Sequence, residues 1–276
     1  MQLSIGFSPC PNDTFIFDAL INHKIDTGKY TFTPILEDVA TLNEGAMQGR
    51  LDITKLSFNT FLHTVNRYAL LRSGSALGLG VGPLLIAKPD RVHQPLHNAT
   101  IAIPGLNTTA TLLLSLAYPE AKQKVEMVFS DIEAAVANGH VDAGLIIHES
   151  RFTYQNHGLA KIADLGSWWE QYAHAAIPLG GIAIKRSLPQ NVYEDVNELI
   201  AQSLAYAWKQ YPRLSEYVTQ HAQEMDEQVM RQHIDLYVNE YTTDLGPTGT
   251  HAINTLFTKA IEAGLLPQGP LPNIFY

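Results

Sequence analysis

The sequence predicts an α/β chain folded as two lobes with a ligand cleft between them, and three observations support this. The first is a repeat. Ala46-Met47-Gln48-Gly49-Arg50-Leu51-Asp52 has a later counterpart in Val136-Ala137-Asn138-Gly139-His140-Val141-Asp142. Each closes a polar–apolar helical run with a glycine, which takes positive φ without steric cost and suits a helix C-cap. The second is the pair of segments that the two aspartates open. Ile53-Thr54-Lys55-Leu56-Ser57 and Ala143-Gly144-Leu145-Ile146-Ile147-His148 both read as apolar strands, so one supersecondary unit is used twice. The third is the order of the chain. It leaves a first α/β segment through the polar, proline-bearing stretch Asp90 to His97, builds a second, and returns near the strand Leu179 to Lys185.

The elements run in order. Leu3 to Phe7 reads as a first strand, and Ser8-Pro9-Cys10-Pro11-Asn12-Asp13-Thr14 as a turn whose polar end caps a helix from Phe15 to Ile21. Tyr30 to Leu36 alternates weakly and predicts a second strand. A helix over Val39 to Gln48, the strand to Ser57 and a helix over Phe58 to Val65 come next, then strands at Tyr68 to Leu71 and Gly82 to Ala87. Ala99 to Ile103 is a strand, Pro104 to Asn107 a turn and Thr108 to Ala117 a helix with a polar start. The second copy of the repeat unit spans about Ser130 to Ser150, and Asn191 to Leu266 is mostly helical by its apolar spacing, broken at Pro212 and Gly246-Pro247. The expected division is a larger lobe of residues 1–91 plus 179–276 and a smaller lobe of residues 92–178. Two crossings permit hinge closure over a ligand, the layout of the type II periplasmic-binding-protein-like fold.

Composition narrows the partners. The 276 residues are 46% hydrophobic and 16% charged, which marks a globular chain with a sizeable core. The net charge of −9, with no basic run, argues against nucleic acid and against an anionic membrane surface. A single cysteine, Cys10, excludes an internal disulfide and suits a reducing compartment. The N-terminus shows neither a basic leader nor a long apolar core, and no stretch nears the roughly 20 apolar residues that span a bilayer. A cytoplasmic location is the expectation.

In open α/β sheets, ligands sit beyond the carboxyl ends of strands. Ser57 stands at such an end, as an N-cap, a ligand donor or both, while Lys55 reads as a surface cation. His148 closes the apolar run of the second unit. Imidazole titrates near neutrality and is the usual general base, although a strand-end histidine satisfied by hydrogen bonds is the plainer alternative. Glu149 follows it directly, but neighbouring strand residues point to opposite faces and it need not be a partner. Phe152 stands where a zinc pattern would need its second histidine, so no His-Glu-x-x-His site is present. Thr108-Thr109-Ala110 opens a helix whose free amides suit a carboxylate; simple capping explains the same residues. Cys10 lacks the surroundings of an activated thiol and is read as part of the turn. Gly78-Leu79-Gly80-Val81-Gly82 matches neither a dinucleotide loop nor a phosphate loop and is read as a flexible or tightly packed bend. Trp168-Trp169 is read as packing.

Taken together, Ser8-Pro9-Cys10-Pro11-Asn12-Asp13-Thr14-Phe15, Leu36-Glu37-Asp38-Val39, Thr54-Lys55-Leu56-Ser57, Gly105-Leu106-Asn107-Thr108-Thr109-Ala110 and the segment from Gly144 to Tyr154 resemble the 1,4-dihydroxy-6-naphthoate synthase family of the futalosine route to menaquinone. The resemblance continues through Leu165 to Glu170 and Pro178-Leu179-Gly180 and loosens in the C-terminal helices. It implies the two-lobed solute-binding fold and a lyase without metal or redox cofactor. The implied reaction converts cyclic dehypoxanthine futalosine into 1,4-dihydroxy-6-naphthoate and dihydroxyacetone. It also implies that His148 is the proton acceptor and that Lys55, Leu56, Ser57, Thr108, Thr109 and Ala110 hold a small-molecule carboxylate substrate. Two alternatives stand beside this reading: a cytoplasmic binding protein without catalysis, and chorismate dehydratase of the same pathway. A ligand-sensing domain of a regulator is disfavoured by the missing DNA-binding motif.

Overall fold

A computed structural model describes residues 1–222, 226–266, 269 and 272–276. The first lobe opens with β1 (Gln2–Phe7), α1 (Pro11–Ile21), β2 (Thr31–Leu36), α2 (Val39–Gln48), β3 (Ile53–Ser57), α3 (Phe58–Thr64), β4 (Tyr68–Leu70) and β5 (Ala76–Gly78). The second lobe holds β6 (Leu84–Ala87), β7 (Ile101–Ile103), α4 (Thr109–Ala117), β8 (Lys124–Glu126), α5 (Ile132–Ala137), β9 (Ala143–Ile146), α6 (Ser150–Thr153), β10 (Ala160–Asp164) and α7 (Leu165–Ala173). The chain returns through β11 (Ile177–Lys185) to a helical layer of α8 (Gln190–Gln210), α9 (Glu216–His221), α10 (Glu227–Tyr237), α11 (Glu240–Thr243) and α12 (Gly246–Glu262). The expected helical run also takes in residues 223–225, which lie outside the described residues.

Two sheets result. The first runs β2-β1-β3-β11-β4 with β5 also paired to β11; the second runs β10-β6-β9-β7-β8. Pro34 sits in β2 at the sheet edge, where its missing N–H leaves no ladder bond unmade. The expected lobe boundary needs correction. β6 pairs with β9 and β10, so the chain has changed sheets between Gly78 and Leu84, well before residue 92. The polar stretch after β6 is not the connection. It is two turns of 3-10 helix, Pro89–Arg91 and Leu96–Asn98, lying within the second lobe before β7.

The repeat has a physical basis. β3 pairs parallel with β1, and β9 pairs parallel with β7, so each unit lies beside an earlier parallel strand of its own sheet. Gly49 and Gly139 both have left-handed φ, +72° and +74°, where the helix turns into the strand. The two aspartates do the same work. Asp52 accepts from the Ser4 backbone N–H at 3.0 Å, and Asp142 accepts from that of Thr100 at 2.8 Å. Each therefore ties that parallel strand to the repeat unit.

α1 starts earlier than its apolar pattern predicts. Pro11 occupies the first turn, where its fixed φ is already helical and its missing N–H costs nothing. The helix is buried along nearly its whole length, packed against α8, α9 and α10, so it lacks the one-sided stripe of a surface helix. β11 also starts earlier, at Ile177, and carries Pro178 where its register with β5 slips between Pro178 and Gly180. That bulge is the kind of place in a sheet that accepts proline.

Where the chain first crosses between lobes, two backbones touch. A Cβ on Gly82 would lie 2.2 Å from the Cα of Gly166, at the start of α7. The bend is thus tightly packed at Gly82, while Leu79 and Gly80 at its middle are exposed. Trp169 is fully buried and donates from Nε1 to the Ala176 carbonyl at 3.2 Å, while Trp168 stacks on Tyr172. Among the described residues, no helix is long and apolar enough to cross a membrane. The backbone contact generates a prediction. Gly82→Ala should lower stability by about 1–3 kcal/mol through overpacking, read as a drop in the urea midpoint with an unchanged slope.

Candidate active site

The strand ends of the two sheets face each other across a cavity of about 90 Å³. Every site residue expected from the sequence lines it: Lys55, Leu56 and Ser57 from the first lobe, and Thr108, Thr109, Ala110 and His148 from the second. The sequence reading missed Ser8, Asn12, Asp13 and Tyr237, which also face the cavity.

Lys55 is not a surface cation. It is 8% exposed, and its ammonium donates to Asp13 Oδ1 at 2.7 Å. Asp13, in the first turn of α1, is 2% exposed and its acceptor positions are filled. The Ser8 backbone N–H donates to Oδ2 at 3.1 Å and the Ser8 hydroxyl at 2.8 Å, while Asn12 Nδ2 donates to Oδ1 at 2.9 Å. A lysine ammonium has three N–H donors. With one given to Asp13 and the residue lining the cavity, the others are available there.

Ser57 begins α3, but its side chain makes no capping bond. Asn43 holds it instead: the Ser57 N–H donates to Asn43 Oδ1 at 2.9 Å, and Asn43 Nδ2 donates to Ser57 Oγ at 3.1 Å. That leaves the hydroxyl proton for another acceptor. At α4, Thr108 is the cap and accepts from the Thr111 N–H at 3.2 Å. The Thr109 hydroxyl donates across the lobes to the Leu179 carbonyl at 2.6 Å. Leu179 is the residue skipped in the β11 bulge, so the bulge turns this carbonyl toward the second lobe. The Thr109 and Ala110 amides are first-turn donors without intrahelical partners, at the positive end of the helix.

His148 follows β9 and has φ +57°, the left-handed region that histidine rarely adopts. The strand ends two residues earlier, so strict alternation no longer governs where Glu149 points. His148 is half-buried, with Phe129 edge-on at 5.0 Å and His233 stacked at 6.0 Å. Burial pushes the His148 imidazole down to about 4; Asp13 opposes this and Lys55 adds to it. The ring is therefore neutral at physiological pH and can accept a proton. Burial, reinforced by Glu149, pushes the Cys10 thiol well up, so it remains a thiol. Cys10 is the N-cap of α1, and the expected turn is correspondingly shorter. Burial also pushes the Tyr237 phenol up to about 12, which keeps its proton on the oxygen. Cys10, His148 and Glu149 offer ligand atoms within 4.8 Å of one another.

The Asp13–Lys55 pair generates a stability prediction. Asp13→Ala leaves a buried ammonium without its counter-charge, and the expected loss is about 3–5 kcal/mol, measured by denaturant unfolding.

Residues 3–262 match the family model described as menaquinone biosynthesis. The 1,4-dihydroxy-6-naphthoate synthase of Thermus thermophilus is 44% identical to this chain over 98% of each protein. That of Streptomyces coelicolor is 42% identical over 97% of this chain and 96% of its own. Among solved structures, protein AF1704 of Archaeoglobus fulgidus is similar with a TM-score of 0.90 at 32% identity, covering 96% of this chain and 98% of that one. The alkanesulfonate-binding protein SsuA of Xanthomonas axonopodis has a TM-score of 0.73 at 14% identity, covering 97% and 94%, a likeness of fold alone. The fold is that of the periplasmic binding proteins, and this chain, matched along nearly its whole length, belongs to the menaquinone-biosynthesis family as one of its enzymes.

Proposed function

We propose that this enzyme is a carbon–carbon lyase that converts cyclic dehypoxanthine futalosine into 1,4-dihydroxy-6-naphthoate and dihydroxyacetone, in the cytoplasm. The observation that carries the reading is a neutral, half-buried imidazole opening onto a cavity to which Lys55, Ser57 and the start of α4 bring donors. The substrate carries an aromatic carboxylate and several hydroxyls. Lys55, the Ser57 hydroxyl and the Thr109 and Ala110 amides supply positive potential and N–H or O–H donors for such groups. His148 takes a proton from the sugar-derived portion. Carbon–carbon cleavage follows, driven by aromatisation of the new ring. Closure of the lobes excludes water and orients the leaving fragment.

The role of Asp13 differs from that of His148. Its carboxylate is saturated by Ser8, Asn12 and Lys55, so it has no free lone pair to act as a base. Its part is to hold Lys55 at the cleft. Leu56, Leu179, Val39 and Val81 supply apolar lining for the flat ring system.

The deciding experiment incubates the purified protein with cyclic dehypoxanthine futalosine and follows naphthoate fluorescence, with chorismate as the control substrate. Turnover of chorismate alone would replace this reading with the dehydratase. His148→Asn should bind substrate normally and lose about 10²–10⁴-fold in kcat; near-normal turnover would remove His148 as the base. In the wild type, kcat/KM should hold as pH falls through 6.5 and decline only toward about 4, because the group must be neutral to act and its proton affinity is depressed. An acid limb at 6.5 or above would contradict the burial argument.

A further inference from the structure

The loop that carries His148 continues into Glu149, which reaches across to the other lobe. Glu149 Oε2 lies 3.5 Å from Nδ1 of His233 on α10. Both residues are buried, at 6% and 0% exposure. The other ring nitrogen, Nε2, lies 3.0 Å from Asn12 Oδ1. The hydrogen bonds locate the protons on this ring. Asp13 accepts from Lys55 and Ser8, so it meets Asn12 as an acceptor, and Asn12 must turn its NH₂ toward it. That leaves the Asn12 carbonyl oxygen for His233, and Nε2 must be the donor. A neutral ring then points a bare Nδ1 lone pair at a carboxyl oxygen. Two facing acceptors with no proton between them repel, at a cost that burial increases.

We propose that Glu149 and His233 share one proton across the lobe interface, and that this pair is the positioning device that holds the His148 loop against the first lobe. The positioning role rests on the reading of His148 as the base. Two further features support it. The His148 and His233 rings lie nearly parallel, 10° apart, so a shift of one moves the other. His148 also has a left-handed backbone, φ +57°, and Glu149, the next residue, ties the chain directly after that turn.

The surroundings decide where the proton sits. Around the pair stand Cys10, Asn12 and Asp13 from the α1 end, Lys55 from β3, His148 and Arg151 from the second lobe, and Tyr237 one turn along α10. Burial, with His148, Lys55 and Arg151 nearby, disfavours a cationic His233. The proton therefore rests on the Glu149 carboxyl, which donates to Nδ1. Raising the pH removes it, leaves the two acceptors facing each other and loosens the loop. The Cys10 thiol, also in hydrogen-bond contact with Glu149, keeps its own proton.

The test pairs spectroscopy with two variants. Histidine-selective ¹⁵N NMR of the wild-type protein at pH 7, assigned by loss of the signal in His233→Asn, should show a neutral His233 ring with the proton on Nε2 and a hydrogen-bonded Nδ1. A proton on Nδ1, or a free Nδ1, overturns the shared proton. Glu149→Ala should lower kcat about 10- to 100-fold with KM changed less than about 3-fold. Glu149→Gln, which offers a donor at every pH, should restore most of that loss and shift the alkaline limb of kcat upward. A glutamine variant no better than alanine, or an alkaline limb left in place, overturns the positioning role. Wild-type protein inactive on the futalosine substrate would remove the reading of His148, and the positioning role with it; the NMR result decides the shared proton by itself.

Discussion

The buried Asp13–Lys55 pair is the interaction on which the site depends. Taking two charges out of water is costly, and mutual attraction offsets that cost only when the remaining hydrogen-bonding positions are also filled. Here they are: Ser8 supplies two donors and Asn12 a third. The pair joins the start of α1 to the end of β3, two elements whose order along the chain would not by itself fix their distance. It holds a cation at the cleft, and it sets which way the Asn12 amide faces. The orientation of Asn12 in turn sets the proton on His233. One saturated carboxylate thus places an ammonium at the cleft and sets the tautomer of a ring on a distant helix.

Much of this was legible in the sequence because it is local. The bounds of α2 and β3 match the apolar pattern, since a half-buried helix ending in glycine and a buried strand each leave a clear period. The cavity residues were found from strand ends, helix starts and family motifs. What escaped notice was non-local or unpatterned. His233 meets Asn12 across 221 positions of the chain, a pairing that no window of residues can show. Asp13 was visible only within the turn before α1 and its motif; its role depends on Lys55, which looked like a surface cation until β3 proved to be an interior strand. β8 is three residues long and mostly exposed at a sheet edge, and β10 is half-buried throughout, so neither alternates. The lobe boundary was misplaced because polarity and proline mark any surface loop, whereas the true crossing is a short glycine-rich bend.

The same architecture serves an alkanesulfonate-binding protein and this enzyme of menaquinone biosynthesis. The difference lies in the groups set on the scaffold, not in the scaffold itself. A ligand-holding cleft needs donors and apolar walls. The cleft here adds an imidazole kept neutral by its burial and set on a left-handed backbone residue. Such an imidazole can accept a proton without first losing one.

The strands at the two lobe crossings are neighbours. β5, from which the chain leaves the first lobe, is hydrogen-bonded antiparallel to β11, by which it returns. A ladder resists shear along its length and twisting across it, but it can flex as a ribbon. The two connections between the lobes therefore start side by side, at one end of a shared ladder. Ala76, Leu179 and Gly180 at that ladder also line the cavity. Bending where the chain leaves the ladder would open the cleft like a book from its spine, at the margin farthest from both connections.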